Sequence, residues 1–368
     1  YIRLSRLINL RNTAIIKFEK CSIELSFSDG SISFSENNSD KKLVGQVFPG
    51  NGPNVKIYNL GDQLKAQLVD WNSSIQEKRK PFVSSEESIK SIAFIQGCYN
   101  HRKALDLPWE DNSLKKILPL VDLKAKKIFV TGGTGFICGR LIEQLVIDFE
   151  ADIHVLVRNF SHAARIARFP VRMFAGNVLD IESLKKAMQG CEFVFHCAYG
   201  KDGDRDQQKK STIQGTKNVL EVAREYGIAR IVYMSTISVY GNTEDGMLDE
   251  TAPRKFCGDP YGDSKLSAEK IVFDYYKKFN LPVSVIQPTI VYGPYAGPWT
   301  RDVLNQMKRG RNILVDGGKG LCNAVYIDDV VQAMVLAAVN KEAIGKAFLI
   351  SSGQTITWKE FFNRFESI

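Results

Sequence analysis

The sequence predicts an α/β protein: a doubly wound parallel sheet over residues 124–368, preceded by a linker at 111–123 and a partial α+β segment with an antiparallel sheet over residues 1–110. Three observations carry this. From Lys126 onward, apolar runs suited to buried strands alternate with helical periods, at Lys127–Val130, Ile153–Val157, Val171–Phe174, Phe193–Cys197, Ile231–Met234 and Val283–Ile286; that rhythm implies a parallel sheet covered on both faces. A glycine-rich turn follows the first of these strands. The first 110 residues instead place Ala14–Phe18, Ser22–Phe27 and Ile32–Phe34 around the turn Ser28-Asp29-Gly30, the pattern of a meander.

In chain order, the meander is followed by a helix that spaces Leu64, Leu68, Trp71 and Ile75 on one face. A second helix opens with the capping box Ser84 and Glu87. Pro108-Trp109 to Leu123 reads as a connection. If uncovered, a sheet face carrying Ile23, Leu25, Phe27, Ile32 and Phe34 would be an association surface, so a homo-oligomer is a possible partner state.

The chemistry is expected in the second part. After the strand at Lys127, Gly132, Gly133, Thr134, Gly135, Phe136 and Ile137 turn the chain into a helix carrying Leu141, Leu145 and Val146. Glycines there let the backbone approach a pyrophosphate, and the helix points its positive end at the same anion. The second strand ends in Arg158, where an acidic residue would suit NAD; a guanidinium attracts a ribose 2′-phosphate, so NAD(P) is the expected cofactor, with NADP favoured. The other reading of Arg158 is an exposed arginine without cofactor contact. Asn177 and Val178 follow the third strand, where the chain would pass under an adenine ring.

Thr236 follows the fifth strand, and Tyr261 and Lys265, four apart, share a face of a long helix. An ammonium beside a phenol lowers the phenol's pKa from its usual value near 10, which would make Tyr261 a base usable near neutrality. Thr236 could hydrogen-bond the same substrate oxygen.

Composition narrows the field. Of 368 residues, 44% are hydrophobic, and no apolar run approaches a membrane span; the expectation is a cytoplasmic protein without a secretory signal. The net charge of +8 is dispersed among 41 acidic residues, which disfavours nucleic acid. Seven scattered cysteines without CxxC spacing read as reduced thiols. His196 and Cys197 are consecutive on a strand and so point to opposite faces, which makes them packing residues and leaves no metal site expected.

Taken in order, these motifs resemble the extended short-chain dehydrogenase/reductase family, also called the NAD-dependent epimerase/dehydratase family, from about residue 126 to the end. Further marks are Gln214-Gly215-Thr216-Lys217-Asn218-Val219-Leu220, Gln287-Pro288-Thr289-Ile290-Val291-Tyr292-Gly293-Pro294 and Val325-Tyr326-Ile327-Asp328-Asp329-Val330. The resemblance implies a Rossmann domain, catalytic Thr236, Tyr261 and Lys265, an amine that also contacts the cofactor ribose, and cofactor contacts at Ala198 and Pro288. This chain departs from the pattern at Cys138, which fills the third glycine position and suggests a helix slightly farther from its strand. Thr212, Gln287 and Tyr326 stand where Asn, Arg and His are common.

Residues 1–110 resemble the end of a Gfo/Idh/MocA oxidoreductase C-terminal domain, through Ile-Glu-Leu-Ser-Phe-Ser-Asp-Gly-Ser-Ile at 23–32, Val69-Asp70-Trp71, Ser84-Ser85-Glu86-Glu87 and Leu107-Pro108-Trp109. With Tyr rather than Met at position 1, the chain is expected to be a fragment or trimmed product of a longer fusion, its C-terminal substrate region incomplete. The leading functional expectation is a nucleotide-sugar epimerase-like enzyme acting at a sugar hydroxyl or ketone. Dehydration is disfavoured because Ile237 and Ser238, not acids, follow Thr236. The alternatives are an NADP-dependent carbonyl reductase resembling the dihydroflavonol-reductase branch, acting on another small carbonyl or alcohol, and a non-catalytic dinucleotide-binding scaffold module.

Overall fold

The computed structural model describes residues 122–366 apart from 244–245 and 311–313, residues 60–82, several positions in 84–93, and the strands at 13–17, 21–26, 31–36 and 42–46. The chain divides into two compact units, Tyr1–Ala104 and Leu105–Ile368.

In the first unit, β1 (Thr13–Lys17), β2 (Cys21–Ser26), β3 (Ser31–Glu36) and β4 (Lys42–Gln46) pair antiparallel in chain order. The register sets Ile16 opposite Ile23, Ile23 opposite Phe34 and Leu25 opposite Ile32. The fourth strand was not legible, because Lys42-Leu-Val-Gly-Gln interrupts its apolar pattern with a glycine. Turn 28–30, Phe27, Glu87 and residues 111–121 lie outside the described residues. Helix α1 (Leu60–Gln76) leaves Leu68, Trp71 and Ile75 exposed. Its Asp70 receives hydrogen bonds from Arg79 Nη2 at 2.8 Å and the Phe82 backbone N–H at 2.7 Å, which hold the carboxyl below its usual pKa and fasten the following chain to the helix.

The second unit is built on seven parallel strands: β5 (Lys127–Thr131), β6 (Asp152–Val157), β7 (Arg172–Ala175), β8 (Phe193–His196), β9 (Arg230–Met234), β10 (Val283–Pro288) and the later β14 (Ala347–Ile350). Their order is β14-β10-β9-β8-β5-β6-β7. The chain therefore moves outward from β5 first through β6 and β7, then through β8 to β14. A crevice opens at the carboxyl ends of β5 and β8, where the direction reverses.

Helices cover both faces, and strand alternation assigns the side chains. Ile128 and Val130 pack with Leu141, Leu145, Val330 and Met334 of α2 (Phe136–Ile147) and α7 (Ile327–Val339). Phe129, between them in sequence, points the other way. It packs with residues of α3 (Ile181–Met188), α4 (Arg205–Glu225) and α5 (Pro260–Phe279), among them Leu184, Leu220 and Val272. Leu123, the last residue of the expected connection, is buried in the α2 and α7 layer. Beyond β10, the short pairs β11 (Ile290–Tyr292) with β13 (Ala324–Tyr326) and β12 (Leu321–Cys322) with β15 (Ile356–Thr357) lie beside α6 (Asp302–Lys308) and α8 (Trp358–Glu366) in sequence.

Helix starts separate into two kinds. Asp180, Asp204 and Asp259 cap α3, α4 and α5 through their carboxylates. Gly135, at the start of α2, offers no side-chain cap, so the first N–H groups of that helix are left for another acceptor.

One ion pair joins the first and last helices of the upper layer. Arg140 Nε and Nη2 donate to Asp328 Oδ1 and Oδ2 at 2.6 and 2.9 Å, and both side chains are largely covered. Asp328→Ala should therefore lower unfolding stability in urea by about 1–3 kcal/mol, since it removes the two-point partner of a largely covered guanidinium and leaves it only Glu143 at 3.3 Å. A midpoint within error of the parent's would show the pair to be incidental.

Candidate active site

The glycine turn stands at the reversal point of the sheet. Gly132 takes φ +73°, and a Cβ there would lie 3.0 Å from the Cys197 carbonyl carbon and the Ala198 nitrogen. Only a residue without Cβ fits that cradle between the ends of β5 and β8. A Cβ on Gly133 would meet Val155 at 2.5 Å, so the turn presses directly on β6. Gly135 is exposed at the uncapped start of α2, followed by half-buried Phe136 and Ile137. Exposed backbone donors beside a tight glycine cradle suit a pyrophosphate.

Cys138 is buried among the apolar residues of the α2 layer, its thiol against Cys197 and pushed well up by burial. Cys197 packs against the core as expected, whereas His196 does more than pack. His196 sits at the centre of a hydrogen-bond chain, with Nδ1 2.7 Å from Thr131 Oγ1 and Nε2 2.9 Å from Thr216 Oγ1. Thr216 donates its own proton to Thr212 O at 2.6 Å, so Nε2 carries the imidazole proton and Nδ1 accepts from Thr131. Thr131 in turn accepts from the Ala198 N–H at 3.2 Å, and Thr212 Oγ1 accepts from the Gly200 N–H at 2.9 Å. Burial, with Lys265 nearby, lowers the His196 pKa to about 3 and keeps the ring neutral. The chain fixes the segment after β8 against the glycine turn.

Thr236, Tyr261 and Lys265 converge. Thr236 ends β9 and starts a short 3-10 helix at Ile237–Tyr240, its hydroxyl receiving the Ser238 N–H at 3.3 Å. Tyr261 lies in the first turn of α5, placed by the Asp259 cap and Pro260, with its hydroxyl hydrogen-bonded to Thr236 and its ring edge-on to Tyr199 at 5.6 Å. Lys265, one turn on, is 2% exposed. Its amine donates to the Met234 carbonyl and sits 4.4 Å from the Tyr233 ring centre.

The electrostatics differ from the expectation of a phenol lowered by the lysine. Burial, then neighbouring Tyr199, pushes Tyr261 up to about 12, although 41% of its side surface remains open. The lysine is itself lowered to about 8 by burial, and its amine is turned to Met234 and the Tyr233 ring. At neutral pH the phenol is a loaded proton donor.

The other expected cofactor residues line the same edge of the sheet. Arg158, after β6, is half-exposed and pairs with Asp202 at 2.8 Å. Asn177 Oδ1 accepts from the Leu179 N–H at 3.0 Å, so the side chain shapes its own turn, and the Val178 carbonyl accepts from Asn218 at 3.1 Å. Pro288 closes β10 in the buried sheet. Among the described residues, no cluster of three or more His, Cys, Asp or Glu is placed to hold a metal.

Sequence reasoning missed Glu269, one turn beyond Lys265 on α5. It is fully buried, receives Ser235 Oγ and Gln287 Nε2, and pairs with Arg254 at 2.6 Å. A buried carboxylate at a Lys-plus-four position was the available signal; its partners lie on other elements and could not be read.

The model of the NAD dependent epimerase/dehydratase family matches residues 128–351. Among curated relatives, a 2-alkyl-3-oxoalkanoate reductase of Shewanella oneidensis is 30% identical over 255 residues, 65% of this chain and 65% of the relative. A dTDP-D-glucose 4,6-dehydratase of Dictyostelium discoideum is 27% identical over 258 residues, 63% of this chain and 59% of the relative. The chain thus spans less than two thirds of the length of both. Among solved structures, a UDP-glucose 4-epimerase of Thermotoga maritima superposes with a TM-score of 0.58 at 25% identity, covering 66% of this chain and 82% of that one. With more than half of its residues matched by the family model, and with the sheet order and glycine cradle described above, the chain belongs to the NAD dependent epimerase/dehydratase family.

Proposed function

We propose that the second unit is an NAD(P)-dependent oxidoreductase, NADP favoured, that reduces a ketone of a small-molecule substrate. The observation that carries this reading is the convergence of Thr236 on the Tyr261 phenol, with the buried Lys265 one turn further along α5. The residues fit the cofactor: Gly132–Ile137 would take the pyrophosphate, Asn177 and Val178 the adenine side, Arg158 the ribose phosphate, and Ala198 and Pro288 the nicotinamide side. When bound, the nicotinamide supplies or accepts a hydride. Thr236 then orients the substrate oxygen, and Tyr261 delivers its proton to that oxygen. Lys265, buried one turn on, supplies positive charge to the site and, by the family resemblance, would also hold the ribose.

Burial keeps the phenol protonated, so Tyr261 gives its proton to the substrate oxygen in reduction and takes one back in oxidation. The reductase name carried by a 30% identical relative supports reduction and suggests a 2-alkyl-3-oxo acid as substrate class. The second reading is a nucleotide-sugar epimerase, supported by the likeness to the UDP-glucose 4-epimerase structure. Cofactor released from purified protein distinguishes the two. Tightly retained NAD(H) supports epimerisation, and protein that exchanges NADPH freely supports reduction.

NADP preference rests on Arg158. Its exposed pairing with Asp202 is worth about 0–1 kcal/mol and yields to a phosphate, whose charge-assisted bond contributes about 1.5–3 kcal/mol. Arg158→Asp should shift the NADP to NAD affinity ratio towards NAD by about 10- to 100-fold in cofactor titrations. An unchanged ratio would leave Arg158 as a surface residue.

The first unit contributes no nicotinamide chemistry in this reading. The family match begins after it, its kinship to Gfo/Idh/MocA domains rests on the sequence motifs alone, and its antiparallel sheet suits packing or association.

A further inference from the structure

The two elements that present Thr236 and Tyr261 are the 3-10 helix at Ile237–Tyr240 and helix α5. The chain between them passes through Asp249–Gly258 and is fastened at several points. Glu250 Oε1 accepts from the Leu349 N–H at 2.8 Å, the Lys255 N–H donates to Val239 O at 3.1 Å, and Asp263 of α5 accepts from the N–H groups of Cys257 and Gly258, both at 3.0 Å. In the middle, Arg254 reaches inward.

Its target is Glu269, 0% exposed, whose carboxylate gathers the frame of the site. Ser235, immediately before Thr236, donates to Oε2. Gln287, immediately before Pro288, donates to Oε1 and Oε2 at 3.0 and 3.1 Å, and its own carbonyl oxygen accepts from the Tyr240 hydroxyl at 2.8 Å. These are neutral donors. The positive charge comes from Arg254, whose Nε lies 2.6 Å from Glu269 Oε1 and whose guanidinium lies over the Tyr240 and Phe273 rings at 5.5 and 5.8 Å. A buried carboxylate without a counter-charge is costly, so the loop is drawn down wherever the carboxylate stays ionised.

We propose that Arg254 and Glu269 are positioning residues: a lock in which the loop arginine neutralises the buried carboxylate and thereby sets Thr236, the 3-10 helix and Tyr261 at their working separation. The inference rests on the reading of Thr236 and Tyr261 as the reacting pair. Neither Arg254 nor Glu269 needs to touch substrate. Misplacement of a reacting group by about 1 Å can cost about 100-fold in rate, which is the scale at stake.

The structure also supplies the means of testing it. A cavity of about 780 Å³, lined by Arg254, Glu269, Lys270, Phe273, Lys346 and Phe348 among others, opens onto the ion pair. A small guanidinium can therefore reach Glu269 once the arginine side chain is removed. In the full chain, assayed with NADPH and a 2-alkyl-3-oxoalkanoate or, failing turnover, with NAD⁺ and UDP-glucose, Arg254→Ala should lower kcat by about 10- to 100-fold while cofactor affinity stays at the parental value. Methylguanidinium added to Arg254→Ala should restore most of that loss and leave the parent unaffected. Adding Gln287→Arg to Arg254→Ala returns the cation to the same carboxylate from the strand side and should also recover kcat. If Arg254→Ala loses NADPH binding, the pair Arg254→Met with Glu269→Gln removes both charges, and it must show the same fall in kcat with binding retained. Parental turnover in these variants would overturn the lock. So would a loss that neither methylguanidinium nor Gln287→Arg recovers. If instead the parent turns over and Tyr261→Phe is equally active, the underlying reading of the site fails, whatever Arg254 does.

Discussion

Tyr261→Phe should keep NADPH binding and lose turnover by about 10²–10⁴-fold, the usual scale for removing a positioned acid or base. The change deletes one hydroxyl. The ring's edge-on contact with Tyr199 at 5.6 Å and the helix start set by Asp259 and Pro260 do not depend on that oxygen, so the cofactor surface should survive. What disappears is the group hydrogen-bonded to Thr236 and held as a loaded proton donor by burial. Single-turnover oxidation of bound NADPH reads the chemical step directly. A parental rate in that experiment would remove Tyr261 from the chemistry.

Lys265→Met should lose both cofactor affinity and rate, and yet yield a more stable protein. Burial lowers this lysine from 10.5 to about 8. Between those values the unfolded chain binds more protons than the folded one, so its contribution makes stability rise as pH increases from about 8 towards 10.5. Below pH 8 the full penalty for the buried ammonium is present, about 3 kcal/mol for a shift of this size before the bond to the Met234 carbonyl is lost. Tyr261 acts oppositely: its folded pKa near 12 exceeds the ordinary 10.0, so stability from this group falls as pH rises above 10. The buried thiols of Cys138, Cys191 and Cys322 are likewise raised from 9.0 and oppose the lysine above about pH 9, so its contribution is read from the difference between parent and Lys265→Met between pH 8 and 10. In urea unfolding without cofactor, Lys265→Met should be about 1–3 kcal/mol more stable than the parent at pH 7, and this difference should shrink as pH rises from about 8 towards 10. Reductive kcat of the parent should decline as the amine loses its proton above about 8. A parental pH slope in Lys265→Met would show that the lysine does not carry the buried charge.

What was legible in the sequence follows from what each residue reports about its surroundings. The five internal strands of the second unit were readable because burial on both faces gives apolar runs, as in Ile231–Met234, and the edge strand β7 was read from Val171, Met173 and Phe174. Strand β14, Ala347–Ile350, is a four-residue apolar run half-buried at the other sheet edge, too short and too far from the preceding strand in sequence to be assigned to the sheet. Tyr261 and Lys265 were readable because helical spacing alone puts them on one face. The pKa of Tyr261 was misjudged because packing around a phenol and the direction taken by a lysine amine depend on residues distant in sequence, here Tyr199 and Met234. The same holds for His196. Alternation gave its direction, but its partners Thr131 and Thr216 lie 65 and 20 residues away. Arg254 is the extreme case: it comes from irregular backbone, and nothing local marks it as the counter-ion of Glu269.

The central claim is that this site moves a hydride to or from carbon while Tyr261 moves the proton. The most direct measurement is to supply NADPH deuterated at the transferring position together with a 2-alkyl-3-oxoalkanoate and a set of 4-keto UDP- and dTDP-sugars, and to locate deuterium in the products by mass spectrometry and NMR. The account predicts deuterium on the former ketone carbon of one product, at a rate abolished by Tyr261→Phe. Protein that binds the labelled cofactor but places no deuterium on any product carbon, or that places it equally well without the Tyr261 hydroxyl, would contradict it.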